Sequence, residues 1–239
     1  MTHPAGPEAR ARGTNEARVP LSRERIVLEA LRVVDEEGLQ ALSMRRLGSE
    51  LGVEAMSLYR YVSGREDLLE ALVSHLTDGL RRTAQTPVSA EDGWQAYIQW
   101  LAHEVRAVAH DHPQLFPLVA TRHPAAPWLR PPLRSLEVVE DFLSVLTDQG
   151  FGDEAAAATY RAFTSFLVGH LLLEASQMGA PMVPDEPLDE GDERSTSALA
   201  LDDFPTIQRL EPFLSEDRSD EEFEISLEEL IDRIERQLR

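Results

Sequence analysis

Leu47-Gly48-Ser49-Glu50-Leu51-Gly52-Val53, then Ser57-Leu58-Tyr59-Arg60-Tyr61-Val62, then Arg65-Glu66-Asp67-Leu68-Leu69: this stretch decides the fold. Ser43 caps a short helix over about 44 to 51 that puts Met44, Leu47 and Leu51 on one face, and Gly52 closes it where left-handed backbone ends a helix. After a tight Gly52-Val53 turn, a second short helix from about Glu54 to Tyr61 turns Leu58 inward. It leaves Ala55, Met56, Ser57, Tyr59, Arg60 and Tyr61 largely outward. Ser63 to Glu66 reads as a capping box that opens a further helix running to about Thr83. Upstream, Ser22 caps a helix over about 23 to 37, whose Ile26, Val27, Ala30, Leu31, Val33 and Val34 recur at three and four, and Gly38 ends it. Two short helices joined by a glycine-containing turn and braced by a longer helix on each side form the helix-turn-helix arrangement.

The rest of the chain is also helical in period, so the fold class is all-α. Trp94, Tyr97, Ile98, Leu101, Val105 and Val108 make one stripe that stops at His112-Pro113. A short segment from Leu115 to Ala120, a proline-rich loop from His123 to Pro132 and a helix from about Leu133 to Gly150 follow. Asp153 opens the most apolar helix, ended by Gly179-Ala180-Pro181; it is apolar on more than one side and must be buried there. Residues 180–198 are acidic and rich in Pro and Gly, which reads as a mobile loop. Leu199 to Leu210 recovers a helical pattern. A last helix opens at a Ser219-to-Glu222 capping box and carries Phe223, Leu227, Leu230, Ile231 and Ile234 on one face. The expected organisation is a flexible basic arm over 1–20, a helix-turn-helix DNA-binding domain over 21–83, and a helical effector-binding and dimerisation domain over 84–239.

Composition narrows the function. All 23 basic residues are Arg, against 43 acids, for a net charge of −20 that rules out a uniformly basic nucleic-acid coat. The charge is uneven: Leu21 to His75 carries −3, whereas Gly179 to Arg239 carries −13 and cannot be what meets a phosphate backbone. With no cysteine there is no disulfide framework and no thiolate metal site. The longest apolar-rich stretch, Phe163 to Leu173, falls short of the roughly 20 residues of a membrane span. The first twenty residues lack the apolar core of a secretory signal. A cytoplasmic protein with no membrane partner is expected. No Ser-His-Asp string, phosphate-binding loop or dinucleotide turn is present, so catalysis is not expected, nor is a metal or other cofactor.

On the strings quoted above, the segment Leu21 to Leu76 resembles the TetR family of bacterial transcriptional repressors. The family pairs such a head with an all-helical C-terminal half that dimerises and binds a small effector. A weaker likeness to the tetracycline repressor subgroup continues through Trp94 to Tyr97, the apolar helix ending near Glu174, and Phe204-Pro205 through Phe223 to Leu230. Leu118 stands where the drug-binding members carry the His that holds magnesium, and Glu174 matches an acid that stands behind the metal ligands there. The resemblance implies that Ser43, Ser57, Tyr59, Tyr61 and Arg65 clamp the DNA backbone while Ala55, Met56 and Arg60 lie where bases are read.

The residue chemistry agrees. Arg45 has the forked geometry that recognises guanine O6 and N7, the hydroxyls and Arg65 suit phosphate oxygens, and Ala55 and Met56 suit thymine methyls. Glu29, Asp35, Glu36 and Glu37 can face away, and Arg10, Arg12, Arg18, Arg23 and Arg25 add a basic arm. Tyr59 and Tyr61 taken singly could be packing residues, and Met44 reads as core. His110 and His112 read as a solvated helix terminus rather than a metal site. Trp94, Tyr97, Trp100, Phe116, Trp128, Phe142, Phe166 and His170 are the candidate effector residues; the aromatic stripe could equally be plain core.

The expected function is a homodimeric transcriptional repressor released from an inverted-repeat operator on double-stranded DNA by a small, largely apolar effector. The alternatives are an activator with the same domain, or a helical small-molecule-handling protein that binds no DNA. Pairing of Asp153–Met178 and Asp220–Leu238 with their copies in a four-helix bundle would set the two heads about 34 to 36 Å apart, one turn of duplex.

Overall fold

In the computed structural model, residues 20–83, 92–121, 123–180 and 203–238 are described, and every regular element among them is helical. The basic arm before Pro20, all but Ala180 of the acidic loop, and the start of the Leu199 segment lie outside the described residues. The order is α1 (Arg23–Glu37), α2 (Met44–Leu51), α3 (Ala55–Leu58), α4 (Arg65–Thr83), α5 (Gly93–Asp111), α6 (Phe116–Val119), α7 (Leu136–Asp148), α8 (Asp153–Gln177), α9 (Pro205–Leu214) and α10 (Ser219–Leu238).

Local chemistry explains the boundaries. Ser22 and Ser43 accept from the amides of Arg25 and Arg46, each at 3.1 Å, as N-caps of α1 and α2. Gly52 ends α2 at φ 66°, a conformation costly for any residue with a Cβ. α2 then approaches α3 so closely that a Cβ on Gly48 would lie 2.9 Å from the Val53 carbonyl.

Three expectations need correction. α3 is one turn, Ala55–Leu58, because residues 59–61 continue as turn. α4 is not opened by Glu66: Asp67 Oδ2 accepts from the Ser63 amide at 2.7 Å, since α4 begins at Arg65 and puts Asp67 third in the helix. Likewise α10 is opened by Asp217, which accepts from the Ser219 amide at 3.1 Å and its hydroxyl at 2.6 Å, and Glu222 has no part in that cap.

The head core is Ile26, Val33, Leu47, Leu58, Leu68 and Leu72, all essentially buried. Each such side chain contributes roughly 1.5–3 kcal/mol relative to exposure. In the C-terminal half α8 is central: it packs on α5, α6, α7 and α10. Among the described residues, charged contacts join the halves at the end of α5 and before α7, where His123 Nε2 also lies 3.0 Å from Glu70 Oε1. His112 Nδ1 at the end of α5 lies 2.9 Å from Asp35 Oδ2 of α1, and Arg134 before α7 meets Glu66 and Glu70 of α4.

Candidate nucleic-acid interface and effector cavity

Pairing sorts the head's arginines. Arg32 is held by Glu29, Glu36 and Glu50, and Arg46 by Glu37 and Glu50. Arg23, assigned above to the basic arm, is instead forked onto Asp67 at 2.6 and 3.1 Å and donates to the Tyr61 carbonyl at 2.8 Å. That pairing, with the Ser63 amide, holds the Asp67 carboxyl well below the usual aspartate range. Arg65 donates to the Leu42 carbonyl at 2.6 Å, so one of its donors already ties α4 to the start of α2. Arg45 and Arg60 are exposed and have no hydrogen-bond or ion-pair partner among the described residues.

The acids expected to face away are tied up rather than merely turned out. Glu29 and Glu36 meet Arg32, Glu37 meets Arg46, and Asp35 meets His112. Those acids are thus engaged, and the surface around α3 carries Arg45, Arg60, Met56, Tyr59 and Tyr61 together with one exposed acid, Glu54.

α3 presents Met56, 76% exposed, with Tyr59 and Tyr61 also exposed; Ala55 and Ser57 are half-buried. Ser43 is exposed but already committed as a cap. Met44 is partly buried against the head core, as read. Glu54, which the sequence reading passed over, is exposed at the N-cap of α3 and makes no side-chain cap bond. Its carboxylate has the chemistry to accept from a cytosine amino group. The available signal was an acid immediately ahead of the recognition turn.

The candidate effector residues do not converge. Phe116 and Phe142 line a cavity of about 50 Å³ between α4, α5, α7 and α8. Trp94 is buried edge-on against Phe151, at 5.3 Å between centroids, and Tyr97 lies behind Phe142 with Trp100 beside it. Trp128 is 73% exposed on the loop. Phe166 and His170 face Phe223 of α10, at 5.8 and 5.3 Å.

The wall instead adds Tyr160, Phe163 and Leu167 of α8, Val105 of α5, and Leu76 and Thr77 of α4. Its polar groups are already used: Thr77 Oγ1 donates to the Val73 carbonyl, Ser135 Oγ caps α7, and Tyr160 donates to the Pro131 carbonyl at 2.9 Å. Burial pushes the Tyr160 phenol up to about 12, so it stays a neutral donor. A cavity lined this way offers apolar surface and shape rather than free hydrogen-bonding groups.

The two histidines read as a solvated terminus are both engaged. His110 Nε2 lies 2.9 Å from Glu174, and His112 bridges to α1. Glu174 also takes the Arg106 guanidinium at 2.6 Å and sits 3.3 Å from His170 Nε2. No group of three or more His, Cys, Asp or Glu among the described residues is arranged to hold a metal ion.

Comparison with known proteins places this architecture. Residues 26–72 match the model for bacterial regulatory proteins of the tetR family, and residues 86–238 that for the tetracyclin repressor-like C-terminal domain. The chain is 33% identical over 150 residues to the HTH-type transcriptional repressor DrrR1 of Streptomyces coeruleorubidus, covering 62% of this chain and 52% of that relative. It therefore matches about half the length of that curated protein. Among solved structures it resembles a "possible TetR family transcriptional regulator" from Streptomyces coelicolor A3(2), with TM-score 0.69, 31% identity, and 91% and 100% of the two chains covered. It also resembles ActR of Streptomyces coelicolor in complex with (S)-DNPA, with TM-score 0.63, 27% identity, and 90% and 98% covered. With more than half its length matched by the C-terminal domain model and its head by the other, the chain belongs to the tetR family of bacterial regulatory proteins.

Proposed function

We propose that this chain is a homodimeric, DNA-binding transcriptional repressor that a small, largely apolar effector releases from its operator. The observation that carries this reading is the pairing pattern of the head: Arg32, Arg46 and Arg23 are consumed by acids, and Arg45 and Arg60 stand unpaired beside Met56, Tyr59 and Tyr61. An exposed Arg at the start of one short helix and another just after the next suits a guanine edge and a neighbouring base or phosphate. Ser43, Ser57, Tyr59, Tyr61 and Arg65 supply backbone contacts, and Ala55 and Met56 thymine-methyl contacts. DrrR1 is named a repressor, and ActR has been captured with a small molecule, which supports both halves of the proposal.

The boundaries proposed are an arm over 1–20, a head over 21–83 and an effector-binding and dimerisation half over 84–239. Dimerisation is supported by the apolar surface an isolated chain leaves in water: Leu173 and Met178 beyond the α8 core face, Ile225 on α10, and Ile207, Phe213 and Leu214 on α9. Among the described residues no helix is long and apolar enough to cross a membrane. The proposed regulator acts on DNA in the cytoplasm and is not expected to catalyse a reaction.

The experiment is selection of bound duplexes from a random pool at low salt, followed by gel shift against salt. The expected result is an inverted repeat whose affinity falls steeply with salt despite the net charge of −20. Recovery of no specific duplex refutes the reading. A reporter fused to the selected site, compared with and without the gene, gives the sign of regulation; expression rising on deletion supports repression.

A further inference from the structure

Arg134 lies in the segment between α6 and α7 and is only 6% exposed. A guanidinium this deep needs partners, and the head supplies them. Nη2 donates to Glu66 Oε2 at 3.0 Å and to Glu70 Oε2 at 2.9 Å, carboxylates one helical turn apart at the start of α4. Its amide donates to the Val119 carbonyl at 3.0 Å, and Nη1 reaches Thr121 Oγ1 at 3.4 Å, so the same residue holds the end of α6. His123 adds to the clasp. Its Nδ1 accepts from the Ala125 amide at 3.0 Å, which leaves Nε2 as the donor facing Glu70 Oε1 at 3.0 Å.

The position gives this clasp its reach. The residues on either side of Arg134, Leu133 and Ser135, both line the apolar cavity. Glu66 and Glu70 belong to the first two turns of α4, directly after the turn that follows α3. The two ends also differ in solvation. Glu66 is 76% exposed, so it rehydrates readily when the clasp opens; Glu70, 38% exposed, keeps His123, and the guanidinium must change its surroundings.

We infer that Arg134 is the positioning residue that couples the cavity to the DNA-reading head. An occupant that displaces Leu133 and Ser135 withdraws the guanidinium from Glu66 and Glu70, and α4 is freed to tilt. The inference rests on the reading of the cavity as the effector site.

The test needs no effector. Val105→Phe enlarges the α5 wall of the cavity and stands in for a ligand, and a double-mutant cycle with Arg134→Met reads the coupling on a duplex selected by the wild-type chain. In parallel, the cysteine-free chain takes two spin labels, at Gln40→Cys on the head and Asp148→Cys on α7, and their separation is measured without DNA. With Arg134 present, Val105→Phe is expected to weaken operator binding by about 5- to 150-fold, the usual range of coupling between sites, and to shift the label distance.

With Met at 134, the further effect of Val105→Phe falls to within about twofold, the limit of additivity for uncoupled sites, and the distance no longer responds. Arg134→Lys, which keeps the charge and loses the fork, restores part of the response. Equal effects of Val105→Phe in both backgrounds overturn the inference. No effect of Val105→Phe on affinity or distance in the otherwise wild-type chain removes the effector-cavity reading, and this inference with it. If no duplex is selected, the DNA-binding reading fails on its own, and the label distances still decide whether Arg134 couples cavity and head. Should Arg134→Met not fold, Glu66→Gln with Glu70→Gln takes its place in the cycle.

Discussion

Two carboxylates hold Arg106 at the same distance and should differ several-fold in worth. Its Nη2 lies 2.6 Å from Glu174 of α8 and 2.6 Å from Asp220 of α10, but the Glu174 side chain is 7% exposed and that of Asp220 92%. At equal separation the effective dielectric decides the energy. Glu174 also accepts from Arg106 Nε at 3.1 Å and faces His110 Nε2 at 2.9 Å. Breaking a buried pair on one side costs about 3–5 kcal/mol. Arg106 retains Asp220 and lies 4.6 Å over the Phe223 ring, so for Glu174→Gln we expect the low end, about 3 kcal/mol. That corresponds to a fall in Tm of about 6–12 °C for a chain of this size. Asp220→Asn should cost under about 1 kcal/mol.

Acidification adds a signature to that contrast. Burial alone would push the Glu174 carboxyl up, but the Arg106 guanidinium and His110 outweigh it and hold it below the usual range. Its folded value therefore lies below its unfolded one. Its contribution is complete above the usual carboxylate range and is lost as pH falls through the folded value, so wild type and Glu174→Gln should converge in acid. The assay is urea and thermal unfolding of both variants at equal protein concentration, at neutral and acid pH. Losses within about 0.5 kcal/mol of each other would refute the reasoning, since surface substitutions scatter by that much.

Arg45→Ala should cost about 1–3 kcal/mol on the selected duplex and far less on random DNA, whereas Tyr59→Phe and Ser57→Ala should weaken both alike; equal losses for Arg45→Ala on both would remove its base-reading role. Asp67→Asn loses the Arg23 fork and the Ser63 amide and should destabilise by about 1 kcal/mol, kept low by the exposure of Arg23. Because the Asp67 carboxyl is depressed in the fold, that difference should begin to shrink as pH drops below the usual aspartate value and be lost only as pH falls through the depressed folded value, which unfolding curves at stepped pH will show. Sedimentation at micromolar concentration should give a dimer, and Leu173→Glu together with Ile225→Glu should shift it toward monomer; a monomeric wild type would count against the assembly.

The head was legible because its signals are local. Ser22, Ser43, Gly38 and Gly52 act on their own helix ends, and the apolar steps from Ile26 to Leu72 repeat at helical spacing. Even so, both capping boxes were misread by one or two residues: Ser63 and Ser219 fit the pattern, and the neighbouring Asp67 and Asp217 won because their shorter side chains sit where the backbone turns. The cavity was much less legible. An aromatic stripe tells which face of α5 is apolar but not what lies opposite, so Trp94 and Tyr97 went to core contacts with Phe151 and Phe142. Leu101, Val105 and Val108, from the same stripe, met the cavity. Arg134 was invisible for the same reason, since its partners are 64 and 68 residues away.

Apart from α4 itself, polar contacts among the described residues hold the head to the C-terminal half at two places, Asp35 against His112, and the α4 carboxylates against the clasp of Arg134 and His123. Kinematics makes that number matter. A rigid body pinned at two points keeps a single rotation, about the line through the pins. Undoing one pin restores rotation in every direction about the other. Opening the Arg134 clasp therefore changes the head's freedom in kind, from a hinge to a ball joint limited by α4. Such a change raises the entropy cost of seating both heads on a duplex even where their average position stays the same.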